Sequence, residues 1–162
     1  MTAERIDTPE TAGRGPMHAY ADLCEAAHRR IGPHVLHTPL EPSPELSDRL
    51  GAEVLLKLEN RQTTGSFKLR GVLNKILSLP AADLERPLVA ASSGNHGAAF
   101  AHALEAFGLT GRLFASRAIS DAKLDWLRTT GIRLELVGDD TVEAELAARS
   151  FAADRGLSLI HI

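Results

Sequence analysis

One lysine stands where a reactive amine could arise. Lys68 follows a polar loop with a single glycine and lies in the first turn of a predicted helix, in the stretch LLKLENRQTTGSFKLRG. The positive end of a helix and the apolar neighbours Phe67 and Leu69 both favour an uncharged amine. Such an amine can form a Schiff base with an aldehyde. A lysine whose stem lies along an amphipathic helix has the same spacing, so the position alone does not decide the role.

A second motif with chemical potential follows the apolar run LVAA. It reads SSGNHG at residues 92–97 and leads into an alanine-rich helical stretch. Serine and glycine at a helix start leave backbone N–H groups open to a carboxylate or phosphate. Asn95 adds a side chain that both donates and accepts hydrogen bonds. The nucleotide-binding patterns GxxxxGK and GxGxxG are absent here, and a serine-capped turn is the simpler interpretation of this segment taken alone.

Together the two motifs resemble those of the fold-type II pyridoxal-phosphate family, in its branch of threonine and serine dehydratases (ammonia-lyases) and serine racemases. TTGSFKLRG resembles the cofactor-lysine motif of that family, and SSGNHG resembles its substrate-carboxylate loop. HTPL at residues 37–40 resembles an N-terminal signature that precedes both. The resemblance covers the chain from about Tyr20 to its end, and the spacing of the motifs agrees.

The resemblance implies pyridoxal 5'-phosphate as the cofactor and gives each motif residue a role. Lys68 would hold the cofactor covalently and serve in catalysis, Phe67 would pack beside the cofactor ring, and Asn95 would hydrogen-bond its phenolic oxygen. The implied reaction is β-elimination of L-threonine, L-serine or a similar hydroxyamino acid, which gives a 2-oxo acid and ammonia. The residues implied to surround the substrate carboxylate are Ser92, Gly94, Asn95 and His96.

Two positions depart from the common dehydratase pattern. Many bacterial dehydratases of the family have alanine where Ser93 stands, whereas serine racemases use a serine there as the acid/base on the opposite face. Ser93 therefore keeps racemase activity open, although a serine is equally at home in a tight turn. Ser116 and Arg117 replace a common Met-Pro segment and resemble a branch linked to ectoine degradation, so an ectoine-pathway derivative is an alternative substrate. For Arg117, a solvated loop charge is the simpler interpretation.

The whole composition limits the other classes of function. The chain has 162 residues and a formal net charge of -3, which gives no basic surface for nucleic acid or anionic lipid. No apolar run is long enough to span a membrane. The single cysteine, Cys24, excludes an internal disulfide and fits a reducing compartment, so we expect a cytoplasmic protein. Cys24 and Trp126 are predicted to be buried, and the histidines form no spacing that predicts a metal site.

The partners expected from this interpretation are few. A small amino-acid substrate is the expected ligand, and the resemblance implies a homo-oligomer for the whole protein. A noncatalytic binding module that uses residues 92–97 to hold an anion is the alternative from another class. The position of Lys68 favours the enzyme, because an anion-binding module has no need of a lysine there.

The elements that would position these motifs alternate along the chain. Helices are predicted at 20–31, 44–50, 66–79, 95–107, about 120–129 and about 141–155. Strands are predicted at 53–58, 88–91, 112–115, 132–137 and 157–162. The alternation predicts an α/β fold with parallel open sheets, flanking helices and right-handed crossovers. The resemblance narrows this to a fold of the tryptophan synthase β type.

The predicted organisation divides the chain into four parts. Residues 1–16 are expected to be a disordered leader, 17–80 the N-terminal part of the large cofactor domain, and 87–156 most of the small domain, with a hinge at 79–87. The last residues, LSLIHI at 157–162, read either as a truncated strand or as the translation of a sequencing adapter, CTG TCT CTT ATA CAC ATC. Because the family's phosphate-binding loop has no match here, we expect an N-terminal fragment, truncated at its C-terminus and inactive alone.

Overall fold

The computed structural model describes residues 16–161, so the predicted leader lies outside the described residues except for Pro16. The first helix begins at Pro16, four residues before the predicted start at Tyr20. The helices are α1 (Pro16–Ile31), α2 (Pro44–Leu50), α3 (Lys68–Leu77), α4 (Ala81–Leu84), α5 (Asn95–Phe107), α6 (Asp121–Thr129) and α7 (Thr141–Arg155). The strands are β1 (Leu40–Pro42), β2 (Leu55–Lys57), β3 (Leu88–Ala91), β4 (Gly111–Ala115) and β5 (Arg133–Leu136). No helix of this part of the chain is long and apolar enough to cross a membrane.

A parallel sheet forms the centre of the molecule, as the alternation predicts. Its strands lie in the order β3-β4-β5. The segment after α7 extends the sheet beyond β3, because Leu159 forms a parallel bridge with Val89. The backbone N–H of Ile160 donates to the Val89 carbonyl at 2.7 Å. The chain therefore runs outward from β3 to β5 and then returns to the other side of β3.

The two faces of the sheet bury different helices, because successive strand residues point to opposite sides. On one face Leu88 and Leu113 pack in a core with α3, α5 and α6. On the other face Val89 and Phe114 pack against α7. The chain thus leaves β3 for β4 through α5 on one face and returns to the other side of β3 through α7 on the opposite face, which makes β3 a switch point of the sheet. The carboxyl ends of strands at such a switch point form a crevice where ligands bind in open α/β sheets.

A short antiparallel ribbon lies outside the central sheet. Strand β1 pairs with β2 in a register that places Leu40 opposite Lys57. The sequence predicts β2 within residues 53–58, but it does not predict the partner, which overlaps the HTPL segment. Leu40, Leu55 and Leu56 are all exposed on this ribbon.

The structure contradicts the expected burial of two side chains and shows a helix in the expected hinge. Cys24 is exposed and Trp126 is 47 % exposed, so the prediction that both are buried was wrong. Residues 79–87 contain α4 rather than a bare hinge, and the Ser158 hydroxyl donates to Asp83 Oδ2 at 3.1 Å. One buried core joins α3 to β3 and α5 across the predicted lobes, and the division into two domains stays a prediction.

The turn before α7 gives a test of the local fold. Gly138 has a φ of 67°, and an alanine Cβ there would lie 2.4 Å from the Cβ of Glu143. We expect Gly138→Ala to lower the free energy of unfolding by about 3 kcal/mol, because left-handed backbone strain and overpacking add. Urea denaturation would measure the loss. Gly51→Ala is the control, since Gly51 has a φ of 62° with open space around its Cβ. Equal losses in the two variants would contradict the packing argument.

Candidate functional site

Lys68 is the first residue of α3, in the first turn as predicted. The preceding loop turns at Gly65, whose φ is 71°, and Leu69 anchors the helix in the core with no exposed surface. Lys68 itself is half-buried. Its Nζ atom lies 5.2 Å from the centroid of the Phe67 ring, and no carboxylate among residues 16–161 forms an ion pair with it. The amine is therefore held near the surface without a charged partner.

A network of polar side chains fixes the loop that leads to Lys68. Arg70 donates two hydrogen bonds to Glu59, from Nε at 2.8 Å and from Nη2 at 2.7 Å. The Thr38 hydroxyl donates to the same carboxylate at 2.5 Å. The Gln62 side chain bonds both the N–H and the carbonyl of Leu36, at 2.9 and 3.0 Å. Two separate segments, around Thr38 and around Glu59, are thus tied to the start of α3.

The charged side chains of this network shift each other's pKa values. The Arg70 guanidinium lowers the pKa of Glu59 to about 2, although burial of the carboxyl opposes the shift. Bonding from Thr38 and the charge of Lys57 lower it further. The same bond to Glu59 raises the pKa of Arg70. This network was not predicted from the sequence. Its trace in the sequence is the threonine of HTPL together with an acid and a base, Glu59 and Arg70, on either side of the lysine loop.

The SSGNHG segment follows β3 at the carboxyl end of the sheet. The Ser92 hydroxyl accepts a hydrogen bond from the Gly94 N–H at 3.1 Å, which shapes the turn. Helix α5 begins at Asn95, as predicted, and Asn95 is exposed. A Cβ on Gly97 would lie 3.0 Å from Leu113 Cδ2 and 3.1 Å from the Ser92 carbonyl, so glycine lets α5 pack close to the sheet. The first N–H groups of α5 remain open, as at any helix start.

His96 links this loop to the segment beyond α7. Its Nε2 lies 3.0 Å from the Ile160 carbonyl, and its Nδ1 is buried without a hydrogen-bond partner among the described residues. Burial lowers the pKa of His96, while the bond to Ile160 opposes this and the charges of Lys68 and His161 add to it. The imidazole is therefore neutral at pH 7. Its ring faces a carbonyl, so as placed it offers no positive charge to a substrate carboxylate.

A cavity of about 500 Å³ joins the two motifs. Thr63 and Thr64 of the lysine loop line one side, and Asn95 lines another. Trp126 of α6 forms part of the wall, which accounts for its exposure. Sequence reasoning assigned Trp126 to the core because its helical neighbours are leucines. The structure places it at the candidate site instead.

A smaller cavity of about 230 Å³ lies beside the first. Ser92, Ser116 and Glu145 line it, and Ser93 and Gly94 line both cavities. Ser116 is buried and its hydroxyl accepts from the Ala118 N–H at 3.0 Å. Its neighbour Arg117 is exposed, as a loop charge would be.

The residues around Lys68 fit the cofactor implied by the motifs. The hydroxyls of Thr64 and Ser66 are buried and have no hydrogen-bond partner within residues 16–161. Buried polar atoms are normally satisfied, so these two call for a polar ligand. Together with the unpaired amine of Lys68 and the exposed amide of Asn95, they suit an aldehyde with polar ring substituents. No cluster of three or more potential metal ligands occurs in this part of the chain.

Comparison with known proteins agrees with the family that the two motifs resemble. Residues 31–161 match the family model described as pyridoxal-phosphate dependent enzyme. The L-threonine dehydratase of Mycobacterium tuberculosis is 38% identical over 151 residues, which cover 91% of this chain and 34% of that protein. Threonine deaminase isoform 2 of Solanum lycopersicum superposes with a TM-score of 0.80 at 28% identity, covering 94% of this chain and 42% of that one. Maize serine racemase gives 0.76 at 28% identity, covering 86% and 43%.

The chain thus spans about a third of the length of the curated dehydratase and about two fifths of the two solved structures. These likenesses confirm the predicted α/β fold with a parallel sheet and flanking helices, and they confirm the resemblance drawn from the motifs. Lys68 and residues 92–97 lie inside the matched region. The chain belongs to the fold-type II family of pyridoxal-phosphate-dependent enzymes.

Proposed function

We propose that the protein containing this chain eliminates water from L-threonine, L-serine or a similar hydroxyamino acid and releases a 2-oxo acid and ammonia. The observation that carries the proposal is the proximity of two motifs: Thr63 and Thr64 of the lysine loop and Asn95 at the start of α5 line one cavity. The relatives named as threonine dehydratase and threonine deaminase support this substrate class.

Residues 92–97 hold and orient the substrate in this proposal. The open N–H groups and positive end of α5 attract the substrate carboxylate, and the Asn95 amide adds a neutral donor and acceptor. Ser92 and Gly94 leave room for the carboxylate because neither carries a bulky side chain. Since His96 is neutral, the carboxylate is held by backbone and amide dipoles. A fixed carboxylate directs the hydrogen on the substrate Cα toward Lys68.

Lys68 carries out the proton transfer. When bound, pyridoxal phosphate supplies an electron sink for the charge that develops at Cα. The Nζ atom of Lys68 first holds the cofactor and, once free, accepts the Cα proton as a general base. The β-hydroxyl then leaves, and hydrolysis yields the 2-oxo acid and ammonia. Phe67, 58 % exposed beside the amine, offers an apolar surface against the cofactor ring.

The direct test is product analysis on the intact protein supplied with pyridoxal phosphate. Ammonia and a 2-oxo acid should form in equal amounts from L-threonine or L-serine. The absence of both products with every hydroxyamino acid tried, including an ectoine-derived one, would refute the elimination. The absence of both turnover and a borohydride-trapped cofactor on Lys68 would favour the noncatalytic binding module instead. The proposal includes a cytoplasmic homo-oligomer that acts on a small amino acid, without a nucleic-acid partner.

Racemisation of serine is the second candidate, because Ser93 lines both cavities and maize serine racemase shares the fold. If Ser93 is the acid/base of the face opposite Lys68, Ser93→Ala should lower D-serine formation from L-serine by about 100-fold. Elimination, which needs no reprotonation on that face, should fall much less. Chromatography that resolves the two enantiomers measures the ratio. Ser120→Ala, at the start of α6, is the control. Equal loss of both activities would contradict this role for Ser93.

A further inference from the structure

A third, larger cavity lies at the amino ends of the strands of the central sheet. Its volume is about 960 Å³, and it is lined by the first residues of β4 and β5 together with the end of α7. Strand β3 has four residues, so the amino and carboxyl ends of the strands lie roughly 13 Å apart at the usual rise. The cavity is therefore distinct from the candidate site, which lies at the carboxyl ends of the strands.

Arginine dominates the charge of this cavity. Four arginines line it, and Glu105 is the one carboxylate in the lining. Arg112 pairs with Glu135 of the neighbouring strand. The side chains of Arg133 and Arg155 form no ion pair with any carboxylate among residues 16–161. The cavity thus keeps a net positive charge that the described chain does not neutralise.

Part of this arginine cluster is held in place. The guanidinium of Arg155 stacks over the Phe151 ring at 4.0 Å, and that of Arg112 lies 5.0 Å from the same ring. Arg86 donates to the Gly156 carbonyl at 2.7 Å, at the end of α7. Because these guanidinium groups are already ordered, an anion bound among them costs less conformational entropy.

The floor of the cavity is apolar and open. A Cβ on Gly111 would lie 2.7 Å from Leu104 Cδ1 and 2.9 Å from the Leu88 carbonyl, so this position admits no side chain. Leu109 and Ile132 continue the apolar lining beside the Thr110 hydroxyl. A ligand that fits must therefore combine an anionic group with an apolar body.

We propose that this cavity binds a small phosphate monoester with an apolar or aromatic body. Guanidinium groups match phosphate oxygens in pairs, and the unpaired Arg133 and Arg155 supply that recognition. The volume lies in the range of small-molecule sites, and the apolar floor accepts the organic part of the ligand. The ligand contacts neither Lys68 nor residues 92–97.

Calorimetric titration of the intact holoprotein with phenyl phosphate tests the proposal. The cofactor site is filled first, and excess pyridoxal phosphate, itself an aromatic phosphate monoester, is then removed. Saturable binding should occur, and Arg133→Gln and Arg155→Gln should each weaken it about tenfold. Arg128→Gln is the matched control, because Arg128 is an exposed arginine outside the cavity. Its affinity should equal that of the wild type.

Several results would overturn the proposal. These are the absence of saturable heat below about 10 mM phenyl phosphate, equal binding by benzyl alcohol, and equal binding by inorganic phosphate. Unchanged affinity in the Arg133 variant would do the same. Arg133 has no ion pair to lose within the described chain, so its variant should keep the fold, which circular dichroism verifies.

Discussion

Lys68→Ala should abolish the covalent attachment of pyridoxal phosphate and lower kcat/KM for L-threonine at least about 1000-fold. The amine is the only group proposed both to hold the cofactor and to accept the Cα proton, so one substitution removes both roles. Because Lys68 is half-buried at the start of α3, its replacement by alanine should cost little stability. Borohydride reduction followed by peptide mass analysis would measure attachment, and the absorbance of the bound cofactor gives a second readout.

Lys75→Ala is the matched control for this experiment. Lys75 lies in the last turn of the same helix and is exposed. Its variant should trap the cofactor and turn over substrate as the wild type does. A borohydride adduct found on another lysine, or full activity in Lys68→Ala, would show that the reactive amine lies elsewhere.

Glu59→Gln should lower the free energy of unfolding clearly, because it removes the carboxylate to which both Arg70 and Thr38 donate. The pKa of Glu59 is lowered from 4.5 to about 2, chiefly by Arg70. A shift of that size corresponds to roughly 3 kcal/mol. The Arg70 and Glu59 side chains are 26% and 17% exposed, so solvent screening reduces the expected loss to about 2 kcal/mol. Urea denaturation at pH 7 would measure it.

The same pair predicts how the loss depends on pH. A lowered pKa means that the folded protein prefers the ionised carboxylate, so its contribution is complete above pH 4.5. It is lost as the pH falls from about 4.5 to about 2, because the unfolded chain binds the proton first. The difference between wild type and Glu59→Gln should therefore shrink over that range.

Glu41→Gln provides the control for this second prediction. Glu41 pairs with Arg61 at 3.5 Å, and the two side chains are 50% and 58% exposed. An exposed pair of this kind contributes little, so the variant should unfold within about 0.5 kcal/mol of the wild type. A pH-independent loss in Glu59→Gln, or an equal loss in Glu41→Gln, would contradict the importance assigned to the Arg70 pair.

Local signals predicted the elements that carry the motifs. Helix α5 runs from Asn95 to Phe107 as predicted, because the SSG turn starts it and Gly108, with a φ of 62°, ends it. Helix α3 is shorter at both ends than predicted, and Lys68 becomes its first residue. Apolar residues continue at helical spacing beyond the hydrogen-bonded turns of α3. The apolar pattern therefore does not mark where this helix begins and ends.

Long-range contacts account for what the sequence did not predict. The bond between Thr38 and Glu59 joins residues 21 positions apart, and that between His96 and Ile160 joins residues 64 apart. No local pattern encodes such distances. Trp126 was misassigned for a related reason, because helical spacing gives the apolar face but does not reveal that a cavity lies beside it.

The dipeptide Ser93-Gly94 separates the two cavities of the candidate site, because both of its residues line both cavities. Any atom added to the side chain at position 93 takes space from one compartment or the other, and a shift of the backbone enlarges one as it narrows its neighbour. The volumes of the two cavities are therefore set together, at a single dipeptide.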